Sequence, residues 1–492
     1  MKLRLLTVLL LFAVALPSPA EEPGSTPQES QPTKKKSQKK DAETQKGGEE
    51  EEEGEALAAG GGVKFAMKKH PTLYLGKLGT VTFRAKFQAD FRGYDPALST
   101  LDGCGAFADS NGCLFEIHRA RASLKGTVLK YFDFEVEREF KDTSRLFVRE
   151  ITLNKLYEVE EITNPWRDVY VDFRRFRKFQ IQAGKFKVPF SLDQLSGDSD
   201  LDFIYRSRLG DSLAPGREIG IMAHGRFFKR ALNYQLGLFK HDGDNARLSG
   251  SPAKELEETA TGQGTIAGRL SGTPLRLAPL PNALRKIEFG GAFTSSPVPD
   301  GVKGLRGRTT SKESFFPHMP VAGRRNRLGT EANWVSGPFT VKGEFVRVQE
   351  QRIKQSLLGK DLPDLLTHAW YLSGSWLLTG EEKGKLDPNR PFRKWLFWGG
   401  PGAVELAARY EQLRFSSADQ TGRPSRTPRA VNVLQNSDRV WTIGVNWYLN
   451  HWVKIQANAI WEKLEDPVFP TRVPVEGRDR YRTQLIRIQF AM

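Results

Sequence analysis

Basic side chains recur at even spacing in two early segments, where they could bind small anions. Arg84 and Lys86 lie two residues apart, and Arg119, Arg121 and Lys125 repeat this spacing or its double. A guanidinium can hold two oxygens of an oxyanion at once, whereas a lysine ammonium acts as a mobile point charge. A wall lined by such cations concentrates anions and speeds their entry, so the predicted chemistry is non-covalent. The alternative is that nearby carboxylates neutralise these cations.

No pattern in the sequence predicts an enzyme, a cofactor or a metal site. The seven histidines are scattered, and no Ser–His–Asp set can be assembled. Cys104 and Cys113 have no histidine at ligand spacing, and they bracket a loop-forming segment rich in glycine and small residues. In an oxidising compartment, this predicts a local disulfide. The basic run over 174–178 is interpreted as a turn that meets lipid headgroups, not as a nucleic-acid site.

The cations belong to segments in which apolar and polar residues alternate strictly. Over 81–92 every odd position is apolar and every even position is polar. The same pattern returns over 441–449 and near the C-terminus, where Ile486, Ile488 and Phe490 alternate with Arg487 and Gln489. Lipid outside and water inside require this alternation in a transmembrane barrel. A soluble β-sandwich or barrel also alternates and is the alternative.

Sixteen candidate strands can be counted, an even number, and the connections between them alternate between short and long. This predicts a 16-stranded antiparallel transmembrane β-barrel with short periplasmic turns and long external loops. The strands are expected at 80–92, 114–128, 130–140, 166–174, 178–188, 217–228, 231–241, 263–272, 285–294, 327–336, 338–349, 366–379, 402–414, 438–449, 451–462 and 482–492.

The N-terminal region predicts export. Residues 1–20 have a basic start, an apolar stretch and small residues before Glu21, which is the layout of a signal peptide. Residues 21–62 contain lysine and glutamate runs without apolar periodicity, so a disordered periplasmic linker is expected. The barrel is then expected over 63–492. Of the net charge of +16, the signal peptide contributes +2 and the acidic linker −5, so the barrel itself carries +19.

Placing the polar face of each strand inward gives the candidate anion path. It comprises Arg84, Lys86, Arg119, Arg121 and Lys125, with Lys342, Lys454 and Arg487 from later strands, and His118 beside Arg119 is counted in the same path. The lumen of a sixteen-stranded barrel is wide unless a loop folds into it. The segment over 191–216 is a candidate constriction loop, with Gln194, Arg206 and Arg208 as its candidate residues. An ordinary surface loop is an equally good interpretation of that segment.

Several motifs together resemble the phosphate-selective porin O and P family. They are Gly184 to Leu192 (GKFKVPFSL), Leu213 to Gly220 (LAPGREIG), Leu377 to Glu381 (LLTGE), Glu405 to Tyr410 (ELAARY) and Gly444 to Asn450 (GVNWYLN). They occur in the family's order, and the resemblance runs from about residue 80 to the end.

The resemblance implies a sixteen-stranded, trimeric pore in the outer membrane, narrowed by its third external loop. It also implies an anion path formed by basic residues of the early strands. Two positions depart from the family pattern: His118 precedes Arg119 where members place two adjacent arginines, and Gln194 stands where members have a loop lysine. These departures leave a general preference for anions but weaken the case for tight phosphate selectivity.

The expected function is therefore passive diffusion of small anions, such as phosphate or related oxyanions, through an outer-membrane porin. A non-selective diffusion porin is one alternative. A structural or adhesive barrel that is plugged by its own loops is another.

Overall fold

The computed structural model describes residues 62–67, 70–95, 108–109, 112–113, 115–141, 145–151, 154–160, 165–243, 264–300, 304–311, 314–383, 402–450, 452–467 and 479–492. The predicted signal peptide over 1–20 and linker over 21–62 lie outside these residues, except for Gly62. Cys104 is also outside them, and the side chain of Cys113 is not described. The disulfide therefore stays a prediction.

Sixteen antiparallel strands form one closed barrel in which each strand pairs with the next along the chain. Their bounds are β1 Gly79–Asp95, β2 Phe115–Val128, β3 Phe132–Glu139, β4 Trp166–Phe176, β5 Phe179–Lys187, β6 Arg217–Phe227, β7 Leu232–Phe239, β8 Thr265–Gly272, β9 Glu288–Val298, β10 Gly323–Ser336, β11 Phe339–Arg352, β12 Leu362–Leu377, β13 Ala403–Ser417, β14 Asn436–Tyr448, β15 Val453–Leu464 and β16 Arg480–Ala491. The barrel closes where β16 pairs with β1, with Phe490 opposite Phe87 and Arg487 opposite Asp90.

The predicted fold class and all sixteen predicted strands are confirmed, with differences at the strand ends. β10 begins at Gly323, four residues before the predicted start, and this added stretch includes the fully buried Arg325. Such a charged stretch has no apolar alternation to detect. β9 begins three residues later than predicted, since 3₁₀ turns at Pro274–Leu277 and Leu284–Lys286 occupy the preceding connection.

Short elements lie outside the barrel wall. Strands Lys64–Met67 and Pro71–Tyr74 pair with each other, and the second extends the sheet alongside β1. Small hairpins join Ala108–Asp109 to Gly112–Cys113, Arg145–Ile151 to Asn154–Glu160, and Gly307–Arg308 to Ser314–Phe316. Helical turns are α1 Leu192–Leu195, the π-turn Leu209–Leu213, and 3₁₀ turns at Gly76–Leu78 and Phe228–Arg230. Within the described part of the chain, no helix has the length and apolar character needed to cross a membrane.

The two faces of the wall have the polarity that a membrane requires. On β14, Trp441 and Ile443 point outward and are 54% and 51% exposed, whereas Thr442 and Asn446 point inward and are buried. β16 repeats this arrangement with Ile488 outside and Arg487 inside. Apolar side chains are thus exposed and polar ones buried, the reverse of a soluble protein, because hydrocarbon surrounds the outer face.

The two ends of the barrel differ in the length of their connections. One end has very short turns, such as Gly337–Pro338, where Gly337 adopts a φ of 57° that favours glycine. We call it the turn end, and it also holds the start of β1 and the end of β16. The opposite end is the loop end. Its longest connections include residues 188–216, called loop 3, and residues 299–322, called loop 5.

Candidate anion site in the barrel lumen

Loop 3 lies inside the barrel and crosses the lumen. Its backbone carbonyls accept hydrogen bonds from inward-facing side chains of the last strands. Lys454 donates to Ser199 O (2.8 Å), Asn446 to Asp202 O (2.8 Å) and Arg487 to Ile204 O (2.8 Å). Polar side chains of β14, β15 and β16 therefore fix the middle of loop 3.

The start of loop 3 is held by the opposite wall. Glu344 of β11 accepts hydrogen bonds from the backbone N–H groups of Leu192 (3.0 Å) and Asp193 (2.7 Å). These are donors of the first turn of α1, which have no partner within a helix. Tyr371 of β12 donates to the same carboxylate at 2.6 Å. Loop 3 is therefore fixed at both sides of the lumen.

Asp198 is the most densely paired acid of loop 3. Its carboxylate lies 2.5 Å from Arg121 Nη1, 2.7 Å from Arg206 Nη2 and 3.5 Å from Arg119 Nε. Burial alone would raise the pKa of Asp198, but the arginines around it hold that pKa well below its usual range. Asp198 is therefore ionised and joins loop 3 to β2.

The three predicted constriction residues all lie in the lumen, but none of them contributes a free charge. Arg206 donates to Ser196 O at 2.8 Å and pairs with Asp198. Arg208 pairs with Glu462 and lies 3.3 Å from Asp438, both on the far wall. Gln194 contributes its backbone carbonyl, which accepts from Lys187 at 2.8 Å. Their contacts hold loop 3 in position, and both arginines are paired with carboxylates.

Loop 5 also folds inward and packs against loop 3 near the loop end. Phe316 stacks on Phe415 of β13 with ring centroids 4.3 Å apart and an interplanar angle of 9°. Leu209 and Leu213 of loop 3 belong to the same buried apolar cluster. This cluster fills part of the lumen between loop 5 and strands β11–β13.

A cavity of about 840 Å³ lies between loop 3 and the turn end. Its loop 3 boundary includes residues 197–200, and its other walls come from strands on both sides of the barrel. Eight basic and five acidic side chains line it, so the lining is positive. The basic residues are Arg84, Lys86, Arg121, Lys125, Lys187, Arg217, Lys383 and Lys454.

Two of these cations face the cavity with no carboxylate within 4.0 Å among the described residues. The side chains of Arg84 and Lys86 make no hydrogen bond or ion pair with a described residue, although Asp198 and Glu137 act on Lys86 from a greater distance, and the Arg84 Nε atom is buried without a partner. Lys187 and Lys454 are bound by backbone carbonyls of loop 3, with no carboxylate within 4.0 Å among the described residues. These four side chains are therefore the cations of the cavity lining without a described carboxylate within 4.0 Å.

The other predicted path residues are neutralised or shielded to different degrees. Lys125 lies 3.3 Å from Glu135, Lys342 is 2.9 Å from Asp202, and Arg121 binds Glu139 as well as Asp198. Arg119 donates to Gln88 at 2.7 Å. His118 faces Asp90 and Glu116, at 3.7 and 3.5 Å.

His118 and Arg119 both face inward although they are consecutive. The pairing of β1 with β2 shifts between Gln88 and Ala89, so that Gln88 pairs with Arg119 and Ala89 with Ile117. This bulge leaves His118 unpaired in the ladder and turns its side chain toward the lumen. The sequence alternation alone does not predict this.

Three cavity cations were missed by the sequence analysis. Lys187 ends β5 at a position that alternation assigns to the outer face, but the chain bends inward there and its ammonium binds loop 3. Arg217 opens β6 and lies 2.6 Å from Asp168. Lys383 belongs to a long turn and reaches Asp202 at 2.5 Å. Lys187 lies in the GKFKVPFSL motif and Arg217 in the LAPGREIG motif, so these two motifs were the sequence signal that could have identified them.

The closed sixteen-stranded wall, its apolar outer face and its charged lumen define an outer-membrane pore barrel. Residues 81–491 match the family described as phosphate-selective porin O and P, and the chain belongs to this family.

Comparison with individual proteins gives weaker similarity. The chain is 27% identical over 143 residues to Porin O of Pseudomonas aeruginosa, a match that spans 28% of this chain and 30% of that protein. Among solved structures, an anion-selective porin from Comamonas acidovorans has 12% identity and a TM-score of 0.47, with 84% of this chain and all of that chain covered. OmpT, an outer membrane protein of Vibrio cholerae, has 10% identity and a TM-score of 0.47, with 87% and 100% covered.

Proposed function

We propose that this porin conducts small anions, phosphate or related oxyanions, by passive diffusion. The observation that supports this most directly is the pair Arg84 and Lys86, which face the cavity without a carboxylate partner among the described residues. A low-dielectric wall lined by uncompensated cations attracts anions and repels cations. The membership in the porin O and P family supports the same substrate class.

Within this proposal, the predicted path residues have two roles. Arg84, Lys86 and Lys125 face the cavity and attract anions near the turn end. Arg119, Arg121 and Lys342 bind carboxylates of loop 3 and thereby set the width of the lumen at that depth. His118, Gln194, Arg206 and Arg208 support the position of loop 3.

The proposal also includes orientation and assembly. The turn end faces the periplasm and the loop end faces outward, which puts the N-terminal linker in the periplasm. The chain forms a homotrimer, uses no cofactor and catalyses no covalent reaction. Protease protection in intact cells tests the orientation, and light scattering of the purified protein tests the trimer.

Zero-current potentials across a planar bilayer with a tenfold KCl gradient test anion selectivity. The zero-current potential of the wild-type protein is expected to have the sign of a chloride-selective pore. The double variant Arg84→Gln/Lys86→Gln is expected to shift this potential toward zero while its open-channel conductance remains measurable. A matched control is Arg482→Gln, because Arg482 is a cation on the exposed outer side of β16. A potential of the opposite sign for the wild type would remove the proposal.

A loop-filled barrel with little conductance is the second candidate. The buried apolar cluster of loop 3, loop 5 and Phe415 favours it, because a packed cluster blocks part of the lumen. The same bilayer recordings decide: a loop-filled barrel gives no conductance steps, whereas a pore gives discrete ones.

A further inference from the structure

The carboxylate of Asp198 lies where an anion would bind. Three guanidinium groups surround it, from Arg119, Arg121 and Arg206, and the aspartate is 8% exposed. Gln88 additionally donates to its backbone carbonyl at 3.3 Å. Two carboxylate oxygens bound by several N–H donors resemble two oxygens of a bound phosphate.

Asp198 also supplies the nearby negative charge for two of these arginines. In the described ranges, no other carboxylate lies within 4.0 Å of Arg119 or Arg206. Arg119 otherwise donates to the neutral Gln88, and Arg206 to backbone carbonyls. Arg121 differs, since it keeps Glu139 at 2.5 Å and Glu137 at 3.5 Å. Removal of the Asp198 charge would therefore leave two half-buried guanidinium groups with no described carboxylate within 4.0 Å.

Such a site would retain anions. Uncompensated guanidinium groups in a partly buried setting bind oxyanions strongly, and Lys86 adds a further cation close by. Conduction needs the opposite, because binding must be weak enough for the ion to leave. Because the Asp198 carboxylate is fixed to loop 3 beside these guanidinium groups, it competes with a free anion at a high effective concentration.

We propose that Asp198 is a built-in counter-ion that occupies an oxyanion site formed by Arg119, Arg121 and Arg206, and that it keeps permeating phosphate weakly held. This inference rests on the proposed anion conduction. It goes further, because it assigns to an acid of loop 3 the control over how long an oxyanion stays.

Phosphate block of the chloride current tests this inference. Single-channel currents in KCl are recorded while inorganic phosphate is added, for the wild type and for Asp198→Asn. Asparagine keeps the shape and an acceptor oxygen but removes the charge. Because one freed charge-assisted hydrogen bond contributes about 1.5–3 kcal/mol, half-block should occur at about ten- to hundredfold lower phosphate in the variant.

Two control variants separate the site from general effects. Asp211→Asn removes the same charge from an exposed position of loop 3 and should leave the phosphate block unchanged. Asp198→Glu keeps the carboxylate and should stay near the wild type. Heat-modifiable migration on a gel verifies that each variant forms the barrel.

The outcomes distinguish this inference from the function on which it rests. A wild-type pore that selects anions, together with an Asp198→Asn variant whose phosphate block is unchanged, overturns the role of Asp198 alone. That role is overturned as well if the variant only gains open-channel conductance, since loop 3 has then merely loosened. A wild-type pore without anion selectivity overturns the proposed function instead.

Discussion

Arg487 of the last strand donates two hydrogen bonds to Asp90 of the first, with Nε and Nη2 at 2.6 and 2.7 Å from the two carboxylate oxygens. Both side chains are fully buried in the lumen wall where the barrel closes. The third nitrogen of Arg487 donates to Ile204 O of loop 3 at 2.8 Å. One guanidinium thus joins the closure of the barrel to the position of the loop that narrows it.

Substitution Arg487→Ala is expected to lower the free energy of unfolding by about 3–5 kcal/mol, because it removes both short hydrogen bonds to the buried Asp90 and leaves that carboxylate only the more distant Arg92 and His118, at 3.5 and 3.7 Å. Denaturant unfolding of the purified barrel, followed by tryptophan fluorescence, measures this loss. The control Arg482→Ala lies on the exposed side of the same strand and should change the value by less than about 0.5 kcal/mol. Equal stability of both variants would show that the pair does not stabilise closure.

Anion selectivity should fall as the salt concentration rises. Arg84 and Lys86 act on ions through the water of the cavity, where screening is effective. The Debye length shrinks from about 10 Å at 0.1 M to about 3 Å at 1 M salt, so their reach contracts. Reversal potentials at a constant concentration ratio and increasing mean salt measure the effect. Selectivity that does not change with salt would mean that a tight binding site, rather than this field, selects the ion.

The sequence predicted the strands well and the lumen only in part, for physical reasons. Alternation reports which side of a strand a residue faces, and the side chains of Arg84, Lys86 and Arg121, which it assigned to the polar face, line the cavity. It does not report which carboxylate comes into contact across the barrel, since Asp198 is distant from Arg121 in the chain. Bulges and bends also change the facing side, as His118 and Lys187 demonstrate.

The ion pairs of Asp198 and Asp202, which hold the middle of loop 3, should persist in acid to a pH well below the ordinary carboxyl range. Burial would raise the pKa of Asp202, but Lys342 and Lys383 lower it below its usual value, as the arginines do for Asp198. A carboxyl with a depressed folded-state pKa stabilises the fold above its unfolded pKa, and this contribution is lost only as pH falls through the depressed value.

Current noise recorded between pH 7 and pH 4 measures this persistence, because a loosened loop 3 would interrupt the current. The noise is expected to stay constant over that range in a Glu344→Gln background, in which the side chain that accepts from Leu192 and Asp193 does not titrate. In Lys383→Met, Asp202 loses one of its two lysines, and the onset of noise should move to higher pH. A wild-type onset near the ordinary carboxyl pKa would contradict the depressed values.

Cys104 and Cys113 are predicted to form a disulfide in the first external loop. The intact mass of the exported protein after treatment with iodoacetamide should show no added groups unless the protein is first reduced. After reduction, two groups should add. Alkylation without reduction would show that both thiols are free and would contradict the prediction.

The packing of loop 5 against β13 is expected to limit conductance. Phe316 is fully buried against Phe415, and such a contact holds loop 5 against the wall of β13. Replacement of a buried phenylalanine by alanine costs about 3–5 kcal/mol, so Phe316→Ala should release loop 5 from the lumen. Single-channel conductance is then expected to increase, with more current noise. Phe140→Ala is the matched control, since Phe140 is 63% exposed and lies outside this cluster. If both variants conduct like the wild type, loop 5 does not obstruct the path, and the loop-filled barrel loses its main support.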